Sequence, residues 1–364
     1  MLQVRHLDFY SAHGNTVHGN TVHGNTVHGN TGFEIIAPAH STMARTFEFE
    51  ITSREEGYLH DPEFHCEKDP THERFIPIRE FKKEHLLPGL QDDDIVNCIK
   101  ALGNLTVRIK CSLTSAGRPD TIPNSNKPYP FIQYKGIDGN PRYATGWVLF
   151  VDREPRAPIG ACPCDSCQNS TSPKSKFARI EIRTAAHHVY DRKEAERTIC
   201  DLFFDEGSKP GEDSQQLVSC SIAQAQHDFE SDSSDLTFFT HDMELAERLE
   251  GMVREYQTLH KVVKGKYPDI ENSQLENEHK LTVIVSHPHL CSKHVSVGEY
   301  VEVKSMENRD SLTSYIYTTA SCPGSSGAPV FVLSRGWLWL LVEHPHCGVC
   351  EANPKFNRSG FALK

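Results

Sequence analysis

The chain of 364 residues contains no run of about 18 apolar residues, so nothing in it reads as a membrane-spanning helix. It also lacks an excess of cations: 38 Lys and Arg stand against 49 Asp and Glu, a formal net charge of −11. That balance argues against nucleic acid or an anionic membrane as a partner. The first ten residues are interrupted by Arg5, His6 and Asp8 and have neither the apolar core nor the cleavage site of a signal peptide. Secretion is therefore not expected. A soluble cytoplasmic protein is, with the nucleus left open.

What is plentiful is cysteine, twelve in all. An even count would suit a disulfide framework in an exported chain. Without a leader the reading is mostly reduced thiols, and the sequons at Asn104, Asn169 and Asn357 carry no meaning. Three thiols crowd into Cys162-Pro163-Cys164-Asp165-Ser166-Cys167, too close in sequence for easy pairing among themselves but suited to folding around one tetrahedral ion. Two readings stay open, free or partly oxidised surface thiols and a structural zinc site on Cys162, Cys164 and Cys167. For the second, Cys347, Cys350 or His188 would supply the fourth ligand.

Composition changes divide the chain into five stretches. Residues 1–32 carry a five-residue repeat, His-Gly-Asn-Thr-Val, starting at His13, His18, His23 and His28. Its period fits neither helix nor strand, so disorder is expected, as a tandem expansion rather than a metal-binding tract. Residues 33–104 form an N-terminal extension, with Phe47, Phe49 and Ile51 alternating as one strand. In it Asp92-Asp93-Asp94 and Gly103 bracket a short helix over Ile95–Leu102. Residues 105–240 hold many short strand patterns, among them Leu105–Cys111, Ala144–Val151, Ala178–Arg183 and Arg197–Phe204. Residues 241–268 repeat apolar positions at helical spacing (Met243, Leu245, Leu249, Met252, Val253, Tyr256) and read as a helical linker. Residues 269–364 return to strands: Leu281–Ser286, Tyr300–Val303, Ser314–Thr318, Pro329–Leu333 and Trp337–His344.

The chemistry gathers on Ser321-Cys322-Pro323-Gly324-Ser325-Ser326-Gly327-Ala328-Pro329, a tight turn before a buried strand that would aim a hydroxyl out of a rigid corner. A serine is a weak nucleophile without a base beside it, and upstream Thr184-Ala185-Ala186-His187-His188 ends a strand with a histidine. An acid to orient that histidine is found in Ser234-Asp235-Leu236-Thr237-Phe238, at the head of an apolar run and amid Asp228, Asp232 and Asp242. The order His187, Asp235, Ser326, with gaps of 48 and 91 residues, resembles that of the chymotrypsin-like (trypsin-like) serine peptidases of the PA clan. The likeness covers roughly residues 130–364.

That resemblance implies a mostly β protein of two six-stranded antiparallel barrels joined by an interdomain helix, here with an N-terminal extension. It implies catalysis by Ser326, His187 and Asp235, an oxyanion hole of the Gly324 and Ser326 backbone N–H groups, and no cofactor for the chemistry. Ala320, His344 and His346 fall at the substrate pocket. Ala320 stands where enzymes cutting after Lys or Arg place an acid, so a small or apolar side chain fits better; an imidazole at 344 or 346 would favour Glu or Gln. The substrate is a peptide or protein, lying extended along a strand edge.

The sequence departs from the family in four places. His188 stands where secreted members carry a cysteine, and Ser325 where zymogen-activated ones carry an aspartate, with no Ile-Val-Gly-Gly-like start to cut. Ala328 replaces a glycine. Little chain remains after Phe361 for a terminal helix, so either the second lobe closes without one or the chain is a fragment. Two functions follow, an intracellular serine endopeptidase not specific for Lys or Arg, and a weak or silent peptidase-like binding module with a structural zinc.

Overall fold

The computed structural model describes residues 47–49, 59, 66–123, 126–155, 161–207, 210–211, 214–218, 226–228, 231–268, 280–306, 309–335 and 343–363. The His-Gly-Asn-Thr-Val repeat, Ile51, residues 337–342 of the strand expected over Trp337–His344 and the twelfth cysteine, Cys220, lie outside them. Residues Met43–Lys364 form one compact unit.

Two short strands come first, β1 (Phe47–Phe49) and β2 (Ile76–Pro77), then helix α1 (Asp93–Leu105). The Asp92 carboxylate caps α1 by accepting from the Asp94 N–H. The glycine expected to end this helix lies inside it. A Cβ at Gly103 would stand 2.9 Å from Ile78 Cδ1, so glycine serves here for close packing, and its carbonyl accepts from Lys293 Nζ at 2.8 Å.

β3 (Thr106–Leu113), β4 (Asp138–Asp152), the one-turn helix α2 (Asp165–Gln168), β5 (Ala178–Ala185) and the one-turn helix α3 (Arg192–Ala195) follow. After them come β6 (Thr198–Leu202), β7 (Gln215–Val218), β8 (Gln226–Asp228) and β9 (Ser233–Thr240). These seven strands form one antiparallel sheet in the order β7-β6-β3-β4-β5-β9-β8. A closed ring of six was expected; among the described residues the path is open and a seventh strand, β8, folds back on β9 as a hairpin. Asp232, just before β9, is left-handed at φ 51°.

Helix α4 (Met243–Lys266) is capped by the Asp242 side chain and buries Leu245, Ala246, Leu249, Val253, Tyr256 and Val263. Its last turn returns to the start of α1, with Lys266 Nζ 3.1 Å from the Asp92 carboxylate. The final strands are β10 (Leu281–Ser286), β11 (His294–Met306), β12 (Arg309–Tyr317), β13 (Pro329–Val332), β14 (His344–Cys350), β15 (Asn357–Ser359) and β16 (Ala362–Leu363). Six of them pair in a closed ring, β10-β11-β12-β15-β14-β13, because β11 bonds both β10 and β12. β16 adds to β12, while β1 and β2 add to β14 and β11.

The protein is thus mostly β, with two antiparallel sheets. One large core, including Ile95, Leu102, Val107, Ile180, Leu249, Val283 and Phe331, runs through both helices and both sheets. No described helix is long and apolar enough to cross a membrane.

Candidate active site

The serine loop is held against the first sheet by Thr145 of β4. Thr145 Oγ1 donates to the Gly324 carbonyl at 2.7 Å, and the Thr145 N–H donates to the Ser326 carbonyl at 2.9 Å. Gly327, at φ 78°, leaves no room for a side chain: a Cβ there would lie 2.4 Å from the Thr145 carbonyl oxygen. Gly324, at φ 100°, presses equally hard on the His287 carbonyl, with 2.4 Å for a Cβ. These two glycines let the loop turn tightly enough to present Ser326 to the strand end that carries His187.

His187 follows β5 and joins two partners. Its Nε2 lies 2.9 Å from Ser326 Oγ, and its Nδ1 lies 2.7 Å from Asp232 Oδ2. The His187 N–H donates to the other oxygen of the same carboxylate at 3.1 Å. All three side chains are buried. Burial would raise the Asp232 pKa, but the charge and hydrogen bond of His187 outweigh it and hold the carboxyl below its ordinary range.

The carboxylate against His187 is that of Asp232, and Asp235, expected in that position, is elsewhere. Asp235 sits opposite Arg183 in the β5–β9 ladder and accepts a bidentate pair from it, at 2.6 and 2.8 Å. Along β9 the buried positions are Ser234, Leu236 and Phe238, so Asp235 takes the half-exposed face. The same alternation was readable in the sequence and would have excluded Asp235. What it could not supply was the turn that swings Asp232 under His187.

His188 does not join the triad. Its carbonyl accepts from Arg118 at 2.8 Å and from Arg142 at 2.7 Å, and both guanidiniums pair with the buried Glu194. Arg118 also donates to the His187 carbonyl at 3.0 Å. Where a disulfide would tie this loop, three buried charges do so, a role that no spacing in the sequence advertised.

At the expected pocket, Ala320 is buried among Cys66, Phe75, Cys291 and Cys322, and its carbonyl accepts from Ser296 Oγ at 2.6 Å. His344 Nε2 lies 2.9 Å from the Thr313 carbonyl, and burial lowers its pKa to about 4. His346 Nδ1 lies 2.7 Å from Tyr317 Oη, and its backbone carbonyl accepts the Gly327 N–H at 2.7 Å. Burial, then the charges of Lys68 and His187, hold His346 well below the usual histidine range. Ala328 points into a cluster with Ile284, Tyr315, Tyr317 and Val330, where its methyl fills space.

None of the eleven described cysteines is in a disulfide. Cys162, Cys164 and Cys167 do converge, but on His241, whose Nε2 lies 3.7 Å from Cys164 Sγ and 3.4 Å from Cys167 Sγ. The fourth ligands expected from the sequence lie apart: His188 at the triad loop, Cys347 and Cys350 on β14. His241 was missed because it comes 74 residues after Cys167, at the end of β9, with no motif around it.

No protein-family model matches the chain, and no curated protein matches it. Among solved structures it is similar to the Rv3671c protease from M. tuberculosis in its active form, at 13% identity and a TM-score of 0.33, over 75% of this chain and 82% of that one. It is also similar to Deg5, at 10% identity and a TM-score of 0.36, covering 74% of this chain and 88% of that one. The HtrA-type protease AlgW with a decapeptide matches at 10% identity and a TM-score of 0.34, over 73% of this chain and 62% of that chain.

Proposed function

We propose that the chain is a serine endopeptidase in which Ser326 is the nucleophile, His187 the general base and Asp232 the residue that orients it. The observation that carries this reading is the single imidazole bridging a buried carboxylate at 2.7 Å and a buried serine hydroxyl at 2.9 Å. With Asp232 ionised, Nδ1 carries the proton and donates to the carboxylate, so Nε2 is left to accept from Ser326 Oγ–H. Attack on a peptide carbonyl then moves the hydroxyl proton to Nε2, and the imidazolium is stabilised by Asp232. Collapse of the tetrahedral adduct returns that proton to the leaving amine and leaves an acyl-serine, which water releases by the same route. The Gly324 and Ser326 N–H groups are the proposed oxyanion donors. No cofactor is needed for these steps.

The absence of an acid at Ala320 supports a preference other than Lys or Arg, and neither His344 nor His346, both buried with lowered pKa values, adds a charge of its own. Cys162, Cys164, Cys167 and His241 are proposed as a zinc knuckle that stiffens the first sheet, away from the chemistry.

The reading is tested by a fluorophosphonate probe on purified protein. Wild type labels at one site and Ser326→Ala does not; labelling that survives Ser326→Ala, or folded wild type that never labels, overturns it.

A further inference from the structure

A second cluster, Cys66, His72, His289 and Cys322, offers four ligand atoms that all lie within 4.8 Å of one another, and all four residues are buried. None of them belongs to the triad. Two come from the N-terminal segment and two from the second lobe, where Cys322 stands in the serine loop and His289 in the turn packed beside it.

The distances fit a metal better than a disulfide. Cys66 Sγ and Cys322 Sγ are 3.8 Å apart. A disulfide requires about 2.05 Å, whereas two thiolates at about 2.3 Å from one tetrahedral zinc stand about 3.8 Å apart. The histidine rings meet edge to face, with centroids 5.1 Å apart. Both histidines sit in left-handed backbone, His72 at φ 51° and His289 at φ 48°. Such conformations are sparsely populated for residues with side chains and persist where the surroundings impose them. Around Cys66 the chain is already shaped as a ligand loop: the Asp69 N–H points at Cys66 Sγ at 3.4 Å, and the Asp69 carboxylate accepts the His72 N–H at 3.1 Å.

We infer that Cys66, His72, His289 and Cys322 bind one zinc ion, which ties the N-terminal segment to the nucleophile loop. Two thiols lose their protons on binding, and two thiolates with two neutral imidazoles make the occupied site electrically neutral, as a fully buried position demands. Mixed sulfur and nitrogen donors suit zinc over calcium or magnesium.

The consequence for the loop rests on the function proposed above. The Cys322 carbonyl accepts the Ser325 N–H at 2.9 Å, and the His289 N–H donates to the Pro323 carbonyl at 2.6 Å. Fixing Cys322 and His289 therefore fixes both sides of the backbone that presents Gly324 and Ser326. The ion would do what an activation salt bridge at position 325 cannot do here, since that residue is Ser325.

The test reads metal first and chemistry second. Zinc per folded chain is measured for wild type, His72→Ala and His72→Cys, with near-ultraviolet circular dichroism as the check on folding. His72→Ala is expected to lose one equivalent relative to wild type, and His72→Cys to regain it; equal zinc in wild type and folded His72→Ala overturns the proposal. In wild type alone, the peptides bearing Cys66 and Cys322 should alkylate in native protein only once a chelator is added. Alkylation that is the same with and without chelator, or a Cys66–Cys322 disulfide in protein kept reduced, overturns it too. Loss of zinc should slow fluorophosphonate labelling roughly 100-fold. A zinc equivalent that depends on His72 in a protein that never labels would leave this site standing and the peptidase reading fallen.

Discussion

Asp232 and Asp235 lie three residues apart and do different work. Asp232→Asn leaves the hydrogen-bond count at His187 unchanged but favours the wrong tautomer, so kcat/KM is expected to fall about 10^4-fold. Asp235→Asn leaves Arg183 on a half-exposed sheet face, where such a pair contributes under about 1 kcal/mol. Its kcat/KM should stay within about threefold of wild type, and side-by-side assays of the two variants check the assignment. Ser326 and the glycines around it were legible because a tight turn before a buried strand constrains which residues can stand there, and His187 because it ends a strand after small residues. The acid was not, because its position depends on a left-handed turn residue that leaves no repeating trace in the sequence. Ala320, His344 and His346 were placed near the loop, but their burial and bonding depend on distant segments: Cys66 and Phe75 against Ala320, and Thr313 and Tyr317 of β12 against the histidines.

At the scale of elements, α4 and several strands, among them β3, β5 and β10, followed from apolar periodicity, and α1 from its acidic start. The second sheet closes into the expected ring of six, whereas the first is open among the described residues, since pairing between distant strands is set by turns and by the lobe as a whole. The tie that holds the His187–His188 turn is equally non-local: Arg118, Arg142 and Glu194 meet from three separate segments, with no exposure of the paired side chains. Burial would lower the Arg142 pKa and raise that of Glu194; the guanidiniums hold the Glu194 carboxyl below its ordinary range nonetheless. Glu194→Gln strands two buried cations and should cost about 3–5 kcal/mol in urea-induced unfolding. Replacing either arginine by Lys should also destabilise, because one ammonium cannot serve two carbonyls and a carboxylate in a plane.

For the whole molecule, Glu343 links α4 to the second lobe, its carboxylate bonded to Tyr256 Oη. Burial pushes the Glu343 carboxyl from 4.5 up to about 7. A raised folded pKa means that the folded state holds the proton more tightly than the unfolded chain does. The stability it contributes is therefore complete below about pH 4.5 and lost as pH rises through 7. That change is worth on the order of 3 kcal/mol, and Glu343→Gln should remove it from the difference between unfolding free energies at pH 5 and pH 8. Asp232 works in the opposite sense: its lowered pKa contributes stability at neutral pH that disappears as the solution is made acid.

Cys66 and Cys322 touch across 256 residues of chain. At typical synthesis speeds of 5–20 residues per second, the N-terminal segment leaves the ribosome roughly 10–50 seconds before the loop it packs on. The first sheet can form in that interval while β1 and β2 wait without partners. The serine loop, by contrast, emerges into a protein whose histidine and acid are already made. Birth order alone thus brings Ser326 last, after His187 and Asp232.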